Sequence, residues 1–257
     1  MAQSAKKLLV AVLDWGLGHA TRSLVLIRAL QQRGCRVSVA ASGDALLLLK
    51  KELPDVEAFE LPGYNPVYPA SGAMVFKMGL QLPHFINVIN SEQQAIENLV
   101  KEHAIDIVIS DNRYGAYSKK VKSVFVSHQL QVLMPAAFKW MQPAVNYFNH
   151  RQISRFTACW APAPANHPFA ELMPAATLQP PVQYIGYLSR LRFVQQPLTY
   201  KLAVLCSGPE PQRSLFEQIA LKELQQVEGN VLLIRGKPAE TKAPVTSTGN
   251  VTVVNFL

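Results

Sequence analysis

Apolar residues fall into short runs that alternate with helical-period segments along most of the chain. Leu8 to Leu13 is a continuous apolar run, as expected of a strand buried on both faces of a parallel sheet. It stops at Asp14 and breaks into a turn containing Gly16 and Gly18, whose lack of a Cβ permits backbone geometries closed to other residues. Thr21 and Arg22 then begin a segment in which Leu24, Leu26, Ile27 and Leu30 recur at helical spacing, with Gly34 as its stop. Val37 to Ala41 resumes as a second buried strand, completing a βαβ unit.

The alternation continues. The pattern predicts a helix from about Asp44 to Glu52, a strand at Val56 to Glu60, a long helix from about Phe85 to Glu102, and strands at Ile105 to Ser110 and Ser123 to Ser127. A helical stretch over roughly Pro135 to Ile153 leads to a strand at Thr157 to Ala161. The sheet should be mainly parallel with right-handed crossovers. Leu61 to Pro83 is too long and too rich in Pro and Gly for a simple connector; its apolar middle, Met74 to Leu82, reads as a short helix that either packs on the domain, covers a site or faces a membrane.

Prolines at 162, 164, 168, 174, 180 and 181 argue against regular structure beyond the Thr157 strand, and a domain boundary is placed near Tyr187 to Pro197. From Lys201 the pattern restarts: strand LAVLCS, turn GPEPQR, helix Ser214 to Gln226, strand Asn230 to Arg235, turn GKPAE, strand Val251 to Val254. The organisation expected is therefore an α/β chain with a Rossmann-like parallel-sheet domain over 1–187 and the beginning of a second Rossmann-like domain over 188–257. The second unit holds only about 60 residues, too few for a substantial core, so it reads as the first part of a domain.

Composition narrows the class. The 257 residues are 49% hydrophobic and 16% charged, a globular balance. Cys35, Cys159 and Cys206 are odd in number and far apart, which suits reduced core thiols in the cytoplasm better than a disulfide frame or a zinc site. MAQSAKK is too short for a secretory signal, and no apolar run approaches the roughly 18 residues of a membrane span, so a soluble protein is expected. The net charge of +8 favours anionic partners or an acidic membrane surface, although the basic residues are dispersed.

The candidate chemistry lies at strand ends. GLGHATR has Thr21 where a dinucleotide fingerprint needs its third glycine, and no acidic residue closes the second strand, so no NAD-type cofactor is expected. His19, beside a helix N-terminus, is expected to stay neutral and to serve as a general base or, alternatively, to cap the turn. Asp14 either orients that imidazole or caps the loop. Ser110, Asp111, Asn112 and Arg113 follow the fourth strand, and Ser127, His128 and Gln129 the fifth, so both clusters belong to the same carboxyl edge, where open α/β sheets bind ligands. In the second unit, Ser207 and Gly208 precede a helix and are candidates for receiving a phosphate, with Arg213 as counter-charge, and Arg235, Gly236 and Lys237 repeat the theme. Signatures of P-loop hydrolases, zinc proteases, nucleophile elbows and nucleic-acid modules are missing.

GLGHATR at the first strand, SDNRYG and SHQ at the fourth and fifth, and SGPEPQR at the start of the second unit together resemble bacterial glycosyltransferases of the GT-B superfamily, the MurG-like group among them. The resemblance implies two facing Rossmann-like domains, the first for an acceptor and the second for a nucleotide-sugar donor, with a hexosyltransferase-type reaction between them and no required metal or cofactor. It implies His19 as base for the acceptor hydroxyl, with Arg22, Asp111, Asn112, Arg113 and His128 on the substrate side. Gly16 and Gly18 would shape the loop facing the donor phosphates, and Ser207, Gly208, Arg213 and Gly236 would lie on the donor side. It also suggests a cytoplasmic enzyme of cell-envelope or polysaccharide synthesis, with a lipid-linked acceptor as a finer expectation; peripheral membrane contact is a separate expectation, drawn from the basic charge and the apolar Met74 to Leu82 stretch. A nucleotide-sugar epimerase and a non-catalytic binder of nucleotides or anionic ligands remain open alternatives.

Overall fold

The computed structural model describes residues 5–69, 74–166, 179–191, 194–195, 197–208, 210–237 and 244–256. The first unit is a seven-stranded sheet. Its strands are β1 (Lys7–Val12), β2 (Arg36–Ala41), β3 (Ala58–Glu60), β4 (Ile107–Asp111), β5 (Lys122–Val126), β6 (Ala158–Ala161) and β7 (Val182–Tyr184). They lie in the order β3-β2-β1-β4-β5-β6-β7, and every neighbouring pair is parallel. The chain runs outward from β1 to β3 and then returns to lay β4 on the other side of β1. The strand order therefore reverses between β1 and β4, the place where an open parallel sheet leaves a crevice at its carboxyl edge.

The apolar run of β1 is covered on both faces. Leu8, Val10 and Val12 pack with Ala20, Leu24 and Ile27 of α1 (Leu17–Gln32) and with Ala45, Leu46, Leu48 and Leu49 of α2 (Gly43–Glu52). Leu9 and Ala11 point the other way, against Ile96 and Val100 of α4 (Leu82–His103). This period-two alternation within a wholly apolar strand is what a central parallel strand requires.

Two helix starts fall at prolines. Helix α4 begins at Leu82 with Pro83 in its first turn, where a missing N–H costs nothing. A short helix, α3 (Met74–Leu80), precedes it as expected. The predicted Pro135 to Ile153 helix is two pieces, a 3₁₀ segment Ala136–Met141 and α5 (Gln142–Ile153), with Pro143 in the first turn of the latter. Strand β7 lies in the Pro-rich segment that argued against regular structure; it is the edge strand, directly after Pro180 and Pro181, where sheets tolerate proline. The intervening residues 167–178 are outside those described.

The second unit contains β8 (Leu202–Leu205), α6 (Gln212–Leu224), β9 (Val231–Ile234), β10 (Pro244–Thr248) and β11 (Val251–Val254), with sheet order β10-β11-β9-β8. Strands β8, β9 and β11 are parallel, and β10 joins β11 as an antiparallel hairpin that the pattern did not predict. Cys206, Ala220, Leu224, Val231, Leu233, Val251 and Val253 form its core. Cys159 and Cys206 are buried and all three cysteines are free; burial pushes the Cys159 thiol up to about 12, so it is an inert filler.

The buried stripe of α4 is Val88, Ile89, Glu92, Ile96 and Val100, a helical spacing with a carboxylate in the middle. Glu92 is fully buried and ion-paired with the equally buried Arg113. Its second oxygen accepts the Tyr64 hydroxyl and the Gly115 N–H, each at 2.9 Å. Complete burial raises the Glu92 carboxyl above its ordinary range, and the Arg113 charge pulls against that rise. Removing one partner strands the other without water. Glu92→Ala is therefore expected to lower unfolding stability by about 3–5 kcal/mol, whereas the double variant Glu92→Met/Arg113→Met should cost less than the two single changes together. Urea titrations of the parent, Glu92→Ala, Glu92→Met, Arg113→Met and the double variant check this; a Glu92→Ala protein as stable as the parent contradicts it.

Candidate functional site

The crevice between β1 and β4 is built from three elements. Val12 pairs with Asp111 at the carboxyl ends of the two strands, and the Leu13 N–H donates to the Asp111 carbonyl at 3.1 Å. The chain then turns at Asp14 to Gly16. Gly16, at φ +83°, caps α1 in a conformation that disfavours any side chain, and α1 starts at Leu17. His19 thus sits in the first helical turn, with Arg22 and Ser23 three and four residues on, along the same face.

All three side chains converge on one carboxylate. Asp111 accepts from His19 Nδ1 (Oδ1, 2.9 Å), Arg22 Nε (Oδ2, 2.8 Å), Arg22 Nη2 (Oδ1) and the Ser23 hydroxyl (Oδ2, 2.7 Å). Asp111 is 2% exposed, and the His19 and Arg22 side chains are 13% and 14% exposed. Burial by itself raises the Asp111 carboxyl, but the hydrogen bonds and charges of Arg22 and His19 outweigh it and hold the group below the usual carboxylate range. Arg22 also reaches outward, its Nη1 lying 2.7 Å from His128 Nδ1. The His19 and His128 rings are 6.3 Å apart between centroids. Partial burial, then the Arg22 cation, holds His128 below the ordinary histidine range.

A carboxylate only accepts, so the His19 nitrogen facing Asp111 is assigned the proton; Arg22 Nη2, a second donor to the same oxygen, lies 3.0 Å from that nitrogen. Nε2 of His19 is left with a lone pair. An imidazole oriented by a buried carboxylate through Nδ1, with Nε2 unprotonated, is an arrangement that can take a proton from a hydroxyl.

The structure separates the residues read from the sequence. His19, Arg22, Asp111 and His128 are brought together, with Asp111 buried as the partner of the imidazole and not open as a ligand contact. Asp14 does not orient His19: it accepts the Ser42 hydroxyl at 2.8 Å, a loop role. Arg113 as a substrate contact is corrected. Asn112, at φ +59°, swings the chain so that Arg113 enters the core on the α4 side, where its guanidinium binds Glu92, the Val12 carbonyl (3.1 Å), Ser42 Oγ (3.3 Å) and the Pro62 carbonyl (2.5 Å). Asn112 itself stays half-buried at the edge. Gly18 is an ordinary helical residue within α1, with open space where a Cβ would stand, so only Gly16 fits the backbone argument.

The donor-side candidates form their own group. Ser207 and Gly208 are exposed after β8, Gly208 at φ +103°; Pro209 is outside the described residues. Arg213 is not a free counter-charge: Glu210 Oε1 accepts from its Nε at 3.1 Å and Nη2 at 2.6 Å, and Nη1 donates to the Gly236 carbonyl at 2.9 Å. The other Glu210 oxygen accepts the Ser214 N–H at 3.3 Å, so a carboxylate of the chain already faces the first turn of α6. Gly236 serves close packing, since a Cβ there would stand 2.5 Å from the Cys206 carbonyl. At the same turn, Gln212 Nε2 donates to the Pro69 carbonyl at 2.7 Å, so the start of α6 lies against the long loop after β3.

Sequence reasoning missed Ser23 and Glu92. Both carried a signal: Ser23 continues the His19 and Arg22 spacing, and Glu92 is the first acidic residue after Glu60, set among apolar positions of a helical stripe. Among the described residues, no group of three or more His, Cys, Asp or Glu stands where it could hold a metal ion, and no helix is long and apolar enough to cross a membrane.

Asp111 has a folded pKa below its unfolded one. It therefore contributes stability that is fully present above about pH 4, the unfolded value, and is lost as pH falls through the lower folded value. Asp111→Asn should destabilise the protein by about 2–3 kcal/mol at neutral pH and flatten the acid side of its stability profile. Thermal unfolding of both proteins from pH 6 to pH 2 tests this; parallel profiles would contradict it.

Comparison with known proteins gives a consistent outcome. Residues 6–133 match a family model described as Glycosyl transferase family 1. No curated protein matches the chain in sequence. Among solved structures, Arabidopsis thaliana UGT89C1 complexed with UDP-L-rhamnose superposes with a TM-score of 0.59 at 13% identity, over 99% of this chain and 70% of that one. SnogD, a glycosyltransferase from Streptomyces nogalater, does so with a TM-score of 0.58 at 16% identity, over 99% of this chain and 73% of that one. Acinetobacter baumannii MurG matches more loosely, with a TM-score of 0.46 at 16% identity over 96% of this chain, which spans 65% of the MurG chain.

Proposed function

We propose that this chain, whose residues 6–133 match the Glycosyl transferase family 1 model and whose fold is shared with solved glycosyltransferases, transfers a sugar from a nucleotide-sugar donor to an acceptor hydroxyl, with His19 as the base. The observation that carries this is the 2.9 Å contact from His19 Nδ1 to buried Asp111, which leaves Nε2 as the accepting nitrogen at the sheet's switch point.

In the step proposed, the acceptor hydroxyl gives its proton to His19 Nε2 while its oxygen bonds to the anomeric carbon of the donor sugar. The bond from that carbon to the phosphate oxygen breaks, and the nucleotide diphosphate leaves with the electron pair. Asp111 keeps the imidazole in one tautomer and offsets the charge the ring gains. The acceptor is assigned to the unit over 1–187 and the donor to the unit over 188–257, where Ser207 and Gly208 are exposed at the end of β8. A UDP-sugar fits this assignment, as UGT89C1 was solved with UDP-L-rhamnose. In the intact protein, His19→Ala is expected to lower kcat/KM with a nucleotide sugar by about 10²- to 10⁴-fold. Unchanged turnover removes the role given to His19, and epimerised sugar formed without acceptor favours an epimerase.

A finer reading concerns the acceptor's source. Met74, Phe76 and Leu80 of α3 and Leu82 and Ile86 of α4 are all exposed. No Asp or Glu occurs from Leu61 to Ser91, whereas Lys77 does. An apolar surface with a cation and no acid suits an anionic lipid interface, and we infer peripheral contact with a membrane and a lipid-linked acceptor. Co-sedimentation with phosphatidylglycerol-containing vesicles at low salt should capture the protein, and Phe76→Ser/Leu80→Ser should release it. Failure of the parent protein to sediment removes this reading and leaves the transfer chemistry standing.

A further inference from the structure

Trp15 is the middle residue of a three-residue turn between β1 and α1, closed by the Gly16 N–H donating to the Asp14 carbonyl at 3.0 Å. Tight turns draw on Gly, Pro, Asn, Asp and Ser, so local backbone chemistry does not call for an indole here. Core packing does not account for it either, since Trp15 stays 37% exposed. What the fold supplies is a rigid mount. The Trp15 ring meets Tyr64 edge-on, with centroids 6.2 Å apart and planes at 88°, and lies 5.8 Å from the Phe85 ring at 55°. Tyr64 and Phe85 are themselves 6.2 Å apart.

The mount is anchored in the core. Tyr64 is buried with Leu13, Val88 and Ile89, its hydroxyl donates to Glu92 at 2.9 Å, and its carbonyl lies 3.1 Å from His84 Nε2. Phe85 is in the first turn of α4, which covers one face of the sheet, whereas α1, which carries His19, covers the other. Trp15 and His19 therefore flank the crevice at the end of β1 from opposite sides. Only four residues separate them, which keeps their Cα atoms within about 14 Å of each other. A molecule lying over this edge and presenting a hydroxyl to His19 has the open part of the indole on its far side.

We propose that Trp15 is a specificity residue for the acceptor: it packs against the ring that bears the reacting hydroxyl and so selects ring-borne alcohols over open-chain ones. This rests on the proposed transfer reaction and names its acceptor class. The shared chemistry is a ring with an apolar face. The C–H groups of a pyranose or the edge of a phenol meet the electron-rich face of an indole favourably. Because Tyr64 and Phe85 already hold Trp15, little side-chain freedom is lost on contact. An open-chain alcohol reaches the same base, but it covers less of the indole and must freeze its own rotors.

Two measurements on the intact protein test this. Trp15, Trp140 and Trp160 give three indole N–H signals in nitrogen-15 NMR, and Trp15→Phe identifies the one that belongs to Trp15. Titration with methyl β-D-glucopyranoside or with 4-methylphenol is expected to shift that signal, and D-sorbitol at the same concentration to leave it in place; which ring compound acts tells a sugar acceptor from a phenolic one. A shift with sorbitol as large as with the rings, or no shift with either ring, overturns the proposal. Kinetics then use the ring compound that binds. Trp15→Ala is expected to raise its KM about ten-fold, the worth of one good ring contact, with kcat changed by less than about two-fold. Trp15→Phe should recover most of that loss. An unchanged KM, or a fall in kcat alone, overturns the proposal. Trp15→Leu, which keeps apolar bulk against Tyr64 and Phe85 without a ring, replaces Trp15→Ala if the latter does not fold. If neither ring compound is glycosylated, the transfer reading fails separately, and the titration alone decides the indole contact.

Discussion

A single buried carboxylate organises the candidate site. Asp111 stands at the last paired position of β4, 2% exposed, and meets four donor contacts from one face of α1. An unpaired anion at that depth would be costly, so the strand end, the first two turns of the helix and the tautomer of His19 are settled together by the need to satisfy it. The crevice at the switch point follows from strand order, but its chemistry follows from this charge. Helix α1 would pack on β1 through Ala20, Leu24 and Ile27 in any case; Asp111 decides which of its polar residues face inward.

Two residues further on, the chain uses a second buried charge for the opposite purpose. Asn112 in a left-handed conformation sends Arg113 to the other face of the sheet, where Glu92, Tyr64 and the carbonyls of Val12 and Pro62 enclose it. That network joins α4, the end of β1 and the start of the loop after β3 beneath the turn that carries His19. Ser42 ties this network to the turn before α1, donating to Asp14 and accepting from Arg113. The rim of the sheet is thus pinned from below on the α4 side and tied from above on the α1 side, and His128 stays exposed beside it.

In the second unit the same local pattern, strand, glycine turn and helix start, is filled differently. Glu210 lies against the Ser214 N–H and holds Arg213, so the positive end of α6 and the cation beside it are already paired within the chain. Partial exposure of this pair keeps it weak in energy, since water competes for both groups. The two glycine turns therefore look alike in sequence and differ in electrostatics.

The sequence by itself determined the fold class, because the central strands are apolar without interruption and the helices carry their apolar residues at helical spacing; Val251 to Val254 and the βαβ opening were legible in full. It also determined the edge to which the polar clusters belong, since parallel strands present all their carboxyl ends on one side. It did not reveal β7 and β10, an edge strand beside prolines and an antiparallel hairpin, whose short stretches lack a buried two-faced pattern. Nor did it separate Asp111 from Arg113, two polar residues side by side in one turn. Which of them faces the crevice and which the core depends on the left-handed backbone at Asn112 and on Glu92, twenty-one positions away from Arg113 and on another element. Only the tertiary structure decided that, because the position of a buried charge is set by the partner that compensates it, and no local pattern records where that partner will be.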